Sequence, residues 1–403
     1  MDKPLLRNDI QLVSMVVEGR RVIRFIDPLQ MSDNQVALDI GLVPLLQMLD
    51  GRHTLRDIQT SLMRRQGGRL LYVSDIQDML DVLDKAYLLE NGAFHDRIRS
   101  LRREFSSRSD REPHLAGTAY PSNPDGVRKF VEEVETQLGI CREINEKIRG
   151  IMAPHIDIRT AGKSYVGLYR HLKGRRFDRV IIMGINHKMQ DGLYSLSEKD
   201  YATPLGKLRS DRPFIEELKK KVPSGALSVD DFSHKIEHSI EFQTLFLRYY
   251  LGDGIRIVPI LCGGIHEFFL HGKDLLSDPR FLETARAIEN TIDEFGGDTL
   301  FVSGVDLAHI GLKFGGRVPA QDILPLARAN DEKILSHVVK GETREIYELA
   351  VNTGDRFNVC GLPAILLHSF LMRGRKAQIL SYETYDERET GSAVNYASVV
   401  FTD

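Results

Sequence analysis

Two kinds of hydrophobic pattern divide the chain near residue 110. In the first part, β-branched runs at 12–17 and 21–26 flank a Glu-Gly pair and predict a hairpin. Helical periodicity follows in three stretches, which cover 38–49, Thr54 to Gly67-Gly68, and Ser74 to Leu89. Asn91-Gly92 then predicts a tight turn, so three helices and a closing hairpin give the outline of a winged helix.

Beyond residue 114, apolar β-type runs alternate with helix-length amphipathic segments. The predicted buried strands are 150–153, 180–185, 255–261, 300–303, 377–382 and 397–401. The predicted helices between them include 126–138, 239–250 and 278–295. This alternation predicts an α/β fold, in which a layered central sheet is flanked by helices.

The segment between these parts, RIRSLRREFSSRSDREP at 97–113, is polar, serine-rich and basic. That composition is typical of a linker, with a helix as the alternative for its start. We therefore predict a small α+β winged-helix domain at 1–96, a linker at 97–113 and an α/β domain at 114–403.

The composition is that of a globular protein. Of 403 residues, 42% are hydrophobic and 28% are charged, which excludes wholesale disorder. Three cysteines cannot build a disulfide framework and favour a reducing compartment. The first residues lack the apolar core of a signal peptide, and no run reaches the ~18–20 apolar residues of a membrane span. We expect a soluble, cytoplasmic protein that does not cross a membrane.

Charge bears on the partners of the first domain. The net charge is −3, and residues 1–110 hold 16 basic and 16 acidic side chains, so the predicted winged helix lacks a basic face for phosphates. The stretches LDIGLVPLLQMLDGRHTLRDI and SDIQDMLDVLDKAYLLENG resemble PqqD-like winged helices, which hold peptides in radical-enzyme maturation systems. The resemblance implies a peptide or protein partner, and nucleic-acid binding is the less favoured alternative.

Three of the thirteen histidines closely follow predicted buried strands. His155 follows the first of these strands, His187 the second, and Asp306 with His309 the fourth. Ligands of open α/β sheets bind beyond the carboxyl ends of the strands, so the three segments together predict a metal or acid/base site. Taken alone, His155 could cap a turn and His187 could lie on a solvated loop. Asp306 could cap a helix whose first turn carries His309 on the same face.

Two further segments carry candidate chemistry. EHSIE opens a predicted helix with His238 beside two glutamates, although carboxylates at a helix N-terminus also favour the helix dipole without any further role. Cys360 precedes Gly361 at another helix start, where a lowered thiol pKa would make it a thiolate ligand or nucleophile; the alternative is a small buried residue. His234 and His238 have zinc-protease spacing, but Lys235 stands in place of the general-base glutamate.

The motifs GTAYPS, APHID, GINHK, EHSIE, VSGVDLAHIG and CGLPAI occur here in the order seen in the Memo family, whose bacterial and archaeal members are known as AmmeMemoRadiSam system protein B. The chain resembles this family over about 117–403. The Memo family is similar in fold to class III extradiol dioxygenases of LigB type. The resemblance therefore implies a non-haem iron or copper site at the strand ends and partner proteins of a radical-SAM system.

The resemblance also implies the metal ligands. The family's ligand histidines and cysteine correspond to His155, His187 and Cys360 in this sequence. Two departures concern the choice of substrate: Lys188 stands where the family often has a second histidine, and FQTLFL after EHSIE lacks the usual Leu-Pro step.

The same resemblance places Asp306, His309 and His238 in the metal pocket as catalytic candidates. His309 takes the place of the acid/base histidine of the dioxygenases. A pKa near neutrality would let it remove a substrate proton while Asp306 orients it. We expect an Fe(II)- or copper-dependent redox enzyme with an unknown small-molecule or peptide substrate. A non-catalytic peptide- or protein-binding module and a metal-assisted hydrolase are the alternatives.

Overall fold

The structure, a computed structural model, describes residues 2–27, 29, 31–32, 36–65, 70, 72–141, 143–187 and 191–403. The chain folds as two units, Met1–Ser107 and Arg108–Asp403, each with its own apolar core. Among the described residues, no helix is both long enough and apolar enough to cross a membrane.

The first unit combines a small sheet with helices. Its antiparallel sheet has the order β1-β2-β3, with the strands β1 Gln11–Val17, β2 Arg20–Ile26 and β3 Ala37–Asp39. Its helices are α1 Val43–Leu46, α2 Leu55–Arg65, α3 Val73–Lys85 and α4 Gly92–Ser107. The predicted hairpin is therefore confirmed, with Val17 paired to Arg20 across the turn.

The second predicted helix begins where the sequence indicates. The backbone N–H of Thr54 donates to Oδ2 of Asp57 at 2.8 Å, and that of Asp57 donates to Oγ1 of Thr54 at 3.3 Å. This reciprocal pair satisfies two N–H groups that the first turn of a helix leaves free. The predicted end of the helix, at Gly67-Gly68, lies outside the described residues.

Two predictions for this unit are wrong. The stretch 38–49 is not one helix. Its α-helical part begins only at Val43. Pro44 lies in the first turn of this helix, where proline is tolerated. Asn91 and Gly92 do not form a hairpin turn. Instead, Oδ1 of Asn91 accepts a hydrogen bond from the backbone N–H of Phe94 at 3.0 Å and caps α4. The closing hairpin expected of a winged helix is thus replaced by a helix.

The segment 97–113 is also more regular than a linker. Helix α4 continues to Ser107, because Leu101 and Phe105 lie four residues apart on one face and are both buried. Strand β4, Asp110–Arg111, belongs to the second unit and pairs with another strand of that unit. The polar composition of this segment reflects the exposed face of a helix.

The second unit is built from strands and helices in alternation. Its strands are β4 Asp110–Arg111, β5 Ile148–Ala153, β6 Arg179–Ile185, β7 Tyr194–Leu196, β8 Asp200–Thr203, β9 Gly206–Ser210, β10 Arg256–Cys262, β11 Thr299–Gly304, β12 His309–Gly311, β13 Lys376–Glu387 and β14 Ser392–Thr402. Its helices are α5 Pro124–Leu138, α6 Ile158–Tyr169, α7 Arg212–Lys221, α8 His238–Leu251, α9 His266–His271, α10 Pro279–Phe295, α11 Ala320–Lys340, α12 Thr343–Thr353 and α13 Leu362–Leu371. All six predicted strands and all three predicted helices are present. The prediction that 377–382 is buried is wrong, because its residues in β13 are exposed or half-buried.

Within the described residues, eleven strands form one mixed sheet. Its main path is β12-β14-β5-β11-β6-β10-β9-β8-β4, and β13 pairs with β14 while β7 pairs with β10. The four neighbours β5, β11, β6 and β10 are parallel, so their carboxyl ends meet at the same edge.

Helices cover both faces of this sheet. Residues of β6 alternate between the two cores: Val180 and Ile182 pack with α5, α6 and α8, whereas Ile181 and Met183 pack with α7, α10 and α13. A strand that is apolar on both faces is typical of the middle of such a layered sheet. The structure confirms the predicted mixed α/β fold with a central sheet flanked by helices.

A buried carboxyl group supports the part of the sheet that precedes His309. Oδ2 of Asp331 on α11 accepts from Nδ2 of Asn395 at 2.7 Å and from the hydroxyl of Tyr382 at 3.0 Å. Asn395 in turn bonds through its backbone to Leu307 and Ala308. Burial raises the pKa of Asp331 to about 7.

Asp331→Asn is expected to make the second unit more stable at pH 8. The folded-state pKa of Asp331 lies above its usual 3.8, so its contribution to stability is full below pH 4 and is lost as pH rises through 7. A neutral amide avoids that loss, which amounts to at most about 4 kcal/mol. Thermal unfolding of variant and parent from pH 4 to 8 checks this. A difference that does not change with pH, or the same trend in the exposed control Asp125→Asn, would contradict it.

Candidate metal centre

The candidate ligands lie at corresponding positions of three parallel strands. His155 comes two residues after β5, His187 two residues after β6, and Asp306 two residues after β11. Because these strands are neighbours and parallel, the three side chains meet at the carboxyl edge of the sheet. The structure therefore brings together the strand-end residues that the sequence singled out.

Three imidazoles form a triangle at this edge. The ring centroids of His155, His187 and His238 are 5.2–5.3 Å apart, and one ring nitrogen of each lies within 4.8 Å of the other two. His238 is the first residue of α8. The hydroxyl of Ser239 ties that helix end to β6, since it accepts from the N–H of Ile185 at 2.9 Å and donates to its carbonyl at 3.0 Å.

A second group of donor atoms also contains His155. Its Nε2 is 3.4 Å from Sγ of Cys360 and 3.6 Å from Oδ2 of Asp306. Gly361 allows this approach, because a Cβ added there would lie 2.3 Å from the carbonyl oxygen of Asp306. A glycine next to Cys360 is therefore required for the two loops to meet.

Nδ1 of each of the three imidazoles lies at hydrogen-bond distance from a carbonyl or carboxylate oxygen. Nδ1 of His155 donates to the carbonyl of Gly304 at 3.0 Å. Nδ1 of His187 and Nδ1 of His238 lie 3.0 and 3.1 Å from the same oxygen, Oε1 of Glu237. Histidines that bind metal ions through Nε2 commonly donate Nδ1–H to a carbonyl or carboxylate in this way.

Glu237 contacts two of the imidazoles, a position that the sequence did not predict. Its carboxylate also accepts from the backbone N–H groups of His187 at 3.1 Å and His238 at 3.0 Å. Burial alone would raise the pKa of Glu237, but the two histidines hold it well below its usual range. The adjacent Glu and His of EHSIE could have indicated this contact. The same pair is equally typical of a helix N-terminus.

Glu237→Gln is expected to weaken metal binding about 10- to 100-fold, the usual cost of losing a carboxylate behind ligand histidines. The amide keeps the shape of the side chain but removes the charge that orients His187 and His238. Affinities measured by anaerobic titration against a coloured chelator check this. The control is Glu342→Gln, which alters a carboxylate bonded to His337 in another part of the chain. Equal affinities of parent and Glu237→Gln would contradict the role.

In the absence of a cation, His155 and the Cys360 thiol are uncharged at neutral pH. Burial lowers the pKa of His155 well below its usual value, and His187 and His238 lower it further. Burial raises the pKa of Asp306, and burial followed by the nearby Asp306 raises that of the Cys360 thiol. The lowered thiol pKa expected from the helix start is therefore wrong. Cys360 would bind a metal ion as the thiolate, since the charge of the ion would favour loss of the thiol proton.

His309 lies in the same cavity but in neither group of donor atoms among the described residues. It begins β12, so the helical turn considered for it and Asp306 is absent. Its Nδ1 donates to the carbonyl of Leu307 at 3.0 Å, which leaves Nε2 as an acceptor. Burial lowers the pKa of His309 to about 4 despite Asp306, so the expected value near neutrality is wrong. At pH 7 the ring is neutral and can accept a proton.

The other candidates lie elsewhere. His234 is buried in a 3₁₀ turn, where its ring bonds to the hydroxyl of Tyr201 at 2.7 Å and the carbonyl of Ser195 at 3.0 Å, so it forms no pair with His238. Lys188 lies outside the described residues. No group of donor atoms within 4.8 Å of one another combines His187 with Cys360 in the part of the chain that the structure describes.

A cavity of about 1020 Å³ opens onto these side chains. It is large enough for a small organic molecule or a short peptide segment. Imidazole, carboxylate and thiol donors at its inner end suit iron, zinc or copper, whereas magnesium and calcium sites use oxygen ligands. The residues present therefore fit the transition-metal ion that the resemblance implies.

The second unit matches a known protein family. A family model described as Memo-like protein matches residues 111–400. A MEMO1 family protein of Aquifex aeolicus is 29% identical over 379 residues, which cover 93% of this chain and 94% of that protein. A MEMO1 family protein of Pyrococcus abyssi is 30% identical over 307 residues, or 72% of this chain and 98% of the relative. The Aquifex match extends into the first unit.

Proposed function

Because this chain belongs to the family of Memo-like proteins, we propose that it is a metal-dependent redox enzyme that uses Fe(II) or copper. The observation that carries the proposal is the convergence of three imidazoles and a thiol at the inner end of one cavity. The proposal includes a relation in fold and chemistry to the LigB-type extradiol dioxygenases.

Donor chemistry supports a redox metal. His155 and His187, with Cys360 as the anionic ligand named by the resemblance, would hold the ion. Fe(II) or copper bound there supplies one-electron chemistry and open coordination positions. His187 is the most exposed of these side chains at 35%, so its ring can turn toward the cavity without unpacking the core.

We assign proton transfer to His309. Its Nε2 accepts a proton from substrate while Nδ1 remains bonded to the carbonyl of Leu307. The nearby carboxyl group of Asp306 stabilises the imidazolium that forms, because opposite charges attract strongly where water is excluded. Asp306 also fixes the loop after β5, since its Oδ1 accepts from the backbone N–H of His155 at 2.9 Å.

The experiment that tests the proposal combines metal analysis with oxygen uptake. Protein purified without oxygen is expected to hold about one iron or copper ion per chain. In the presence of catechols, one class of small molecule that fits the cavity, it is expected to consume oxygen. His309→Gln should keep the metal and lose about 10²- to 10⁴-fold of the rate. A metal-free parent, or a His309→Gln variant as active as the parent, would contradict the proposal.

For the first unit we propose docking of a peptide or protein, with radical-SAM system proteins as candidate partners and a winged-helix-like role. Its equal numbers of acidic and basic side chains support this over nucleic-acid binding. A filter-binding assay at low salt separates the two, since tight, salt-sensitive binding of DNA would contradict protein docking.

A further inference from the structure

The strand β1 lies at an edge of the sheet in the first unit. Within the residues that the structure describes, this sheet has the order β1-β2-β3, so Gln11–Val17 pairs with β2 along one side only. The other side of the strand presents main-chain N–H and C=O groups that no further strand of this sheet pairs with. Such an edge is a template for an additional strand.

The side chains of β1 do not protect this edge. Natural edge strands usually carry charged residues or proline, or are interrupted by a bulge. The sequence QLVSMVV has neither a charge nor a proline, and its seven residues pair with β2 in one unbroken register. Val16 is 63% exposed, and Leu12, Val13 and Val17 are 41–44% exposed. An apolar strand with this exposure is typical of an interaction surface.

We propose that β1 pairs with β1 of a second copy of this chain, so that the two three-stranded sheets join into one sheet of six strands. The pairing is antiparallel, about a two-fold axis that passes beside Ser14. This inference goes beyond the proposed metal chemistry. It leaves the β3 edge of the sheet for the protein partner proposed for the first unit.

The order of residues in β1 supports its own copy as the occupant. About Ser14, an antiparallel pair sets Leu12 opposite Val16 of the second copy, and Val13 opposite Met15 of the second copy. Apolar side chains thus meet apolar side chains on both faces of the new pair, and opposed pairs of this kind stabilise a sheet. The strand is therefore complementary to itself.

Charge also favours the antiparallel pair. Arg20 and Arg21 are exposed beside the turn, where they pair with Val17 and Val16. Antiparallel pairing places the two turns at opposite ends, so the arginines of the two copies lie about 20 Å apart along the strands. That separation is more than twice the distance of about 8 Å over which salt screens charges. Each arginine end lies instead beside the end of the other copy that carries Asp27, the residue after β2.

Sedimentation velocity of the full chain measures the association. Seven paired residues make a small interface, so we expect a reversible dimer whose fraction rises with concentration. At about 0.5 mM, even a pairing with a dissociation constant of about 0.1 mM is mostly formed. A chain that remains monomeric at that concentration would overturn the inference, and the edge would then be open to a strand of another protein.

Ser14→Lys and Ser14→Glu locate the interface. Each variant sets two like charges opposite each other at the two-fold axis and is expected to weaken dimer formation at least about 10-fold. Mixed in equal amounts, the two variants are expected to associate at least as well as the parent, because opposite charges then meet at the axis. Restored association also shows that both variants are folded.

The matched control is Ser100→Lys with Ser100→Glu, because Ser100 is exposed on α4 and lies outside the strand. Alone or mixed, these two variants are expected to associate like the parent. If Ser14→Lys forms dimers as readily as the parent, or if its mixture with Ser14→Glu stays monomeric, β1 is not the interface and the inference is wrong.

Hydrogen exchange of the unmodified protein provides a second measurement that does not depend on the folding of a variant. Amides of 11–17 are expected to exchange more slowly at concentrations at which the dimer forms, since strand pairing removes them from water. A dimer that leaves exchange in 11–17 unchanged would show that the two copies meet elsewhere.

Discussion

His155→Ala is expected to lower the affinity for Fe²⁺ and for Cu⁺ by more than about 100-fold, beyond the cost of changing a residue behind the ligands. His155 is the only residue common to both groups of donor atoms among the described residues. Competition titration with a chelator of known affinity, performed without oxygen, measures the change.

His337→Ala is the matched control for His155→Ala. His337 is also bonded to a neighbouring group through Nδ1, at 2.8 Å from Oε2 of Glu342, but it does not line the cavity. Its replacement is expected to leave both affinities unchanged. If His155→Ala binds either ion within 3-fold of the parent, that ion is bound elsewhere.

The second large effect is expected from Arg111→Met, which should destabilise the second unit by about 3–5 kcal/mol. Arg111 is completely buried and forms an ion pair with Glu241 at 2.6 Å. Its guanidinium also donates to the carbonyls of His234 and Glu237, each at 2.9 Å. Loss of the cation leaves the Glu241 carboxylate buried without its counter-charge.

The expected loss is measured as the shift in thermal unfolding of the full chain. The control is Arg128→Met, since Arg128 is half exposed and pairs with Asp125 on the surface of α5, where such a pair contributes at most about 1 kcal/mol. A shift for Arg111→Met as small as that of the control would show that the buried ion pair does not hold the segment before α8.

The sequence predicts the positions of those candidate ligands that come after predicted strands. His155 and His187 each come two residues after a strand that ends in a buried apolar run, 150–153 and 180–185, and such runs form the parallel centre of a layered sheet. The edge at which their side chains meet is then fixed by topology.

What the sequence left open depends on contacts between distant segments. Glu237 orients His187 across fifty residues, and Glu241 binds Arg111 across one hundred and thirty; local periodicity carries no information about either pair. The pKa values predicted for His309 and Cys360 are wrong for the same reason. Burial by remote segments lowers the pKa of His309 and raises that of Cys360.

Errors in the first unit have a more local cause. A helical pattern with an internal proline was extended too far at 38–49, although Pro44 fits only the first turn. The polar, serine-rich composition of 97–113 predicts a linker with a helix as the alternative for its start, and the helix continues to Ser107 because Leu101 and Phe105 share one buried face of α4.

Anomalous X-ray scattering from crystals of the metal-loaded protein tests the central claim most directly. Data collected at the iron or copper edge are expected to show one peak within coordination distance of Nε2 of His155, about 2.0–2.3 Å. A peak that lies away from His155, or the absence of any peak in crystals of protein shown to contain the metal in stoichiometric amount, would contradict the account.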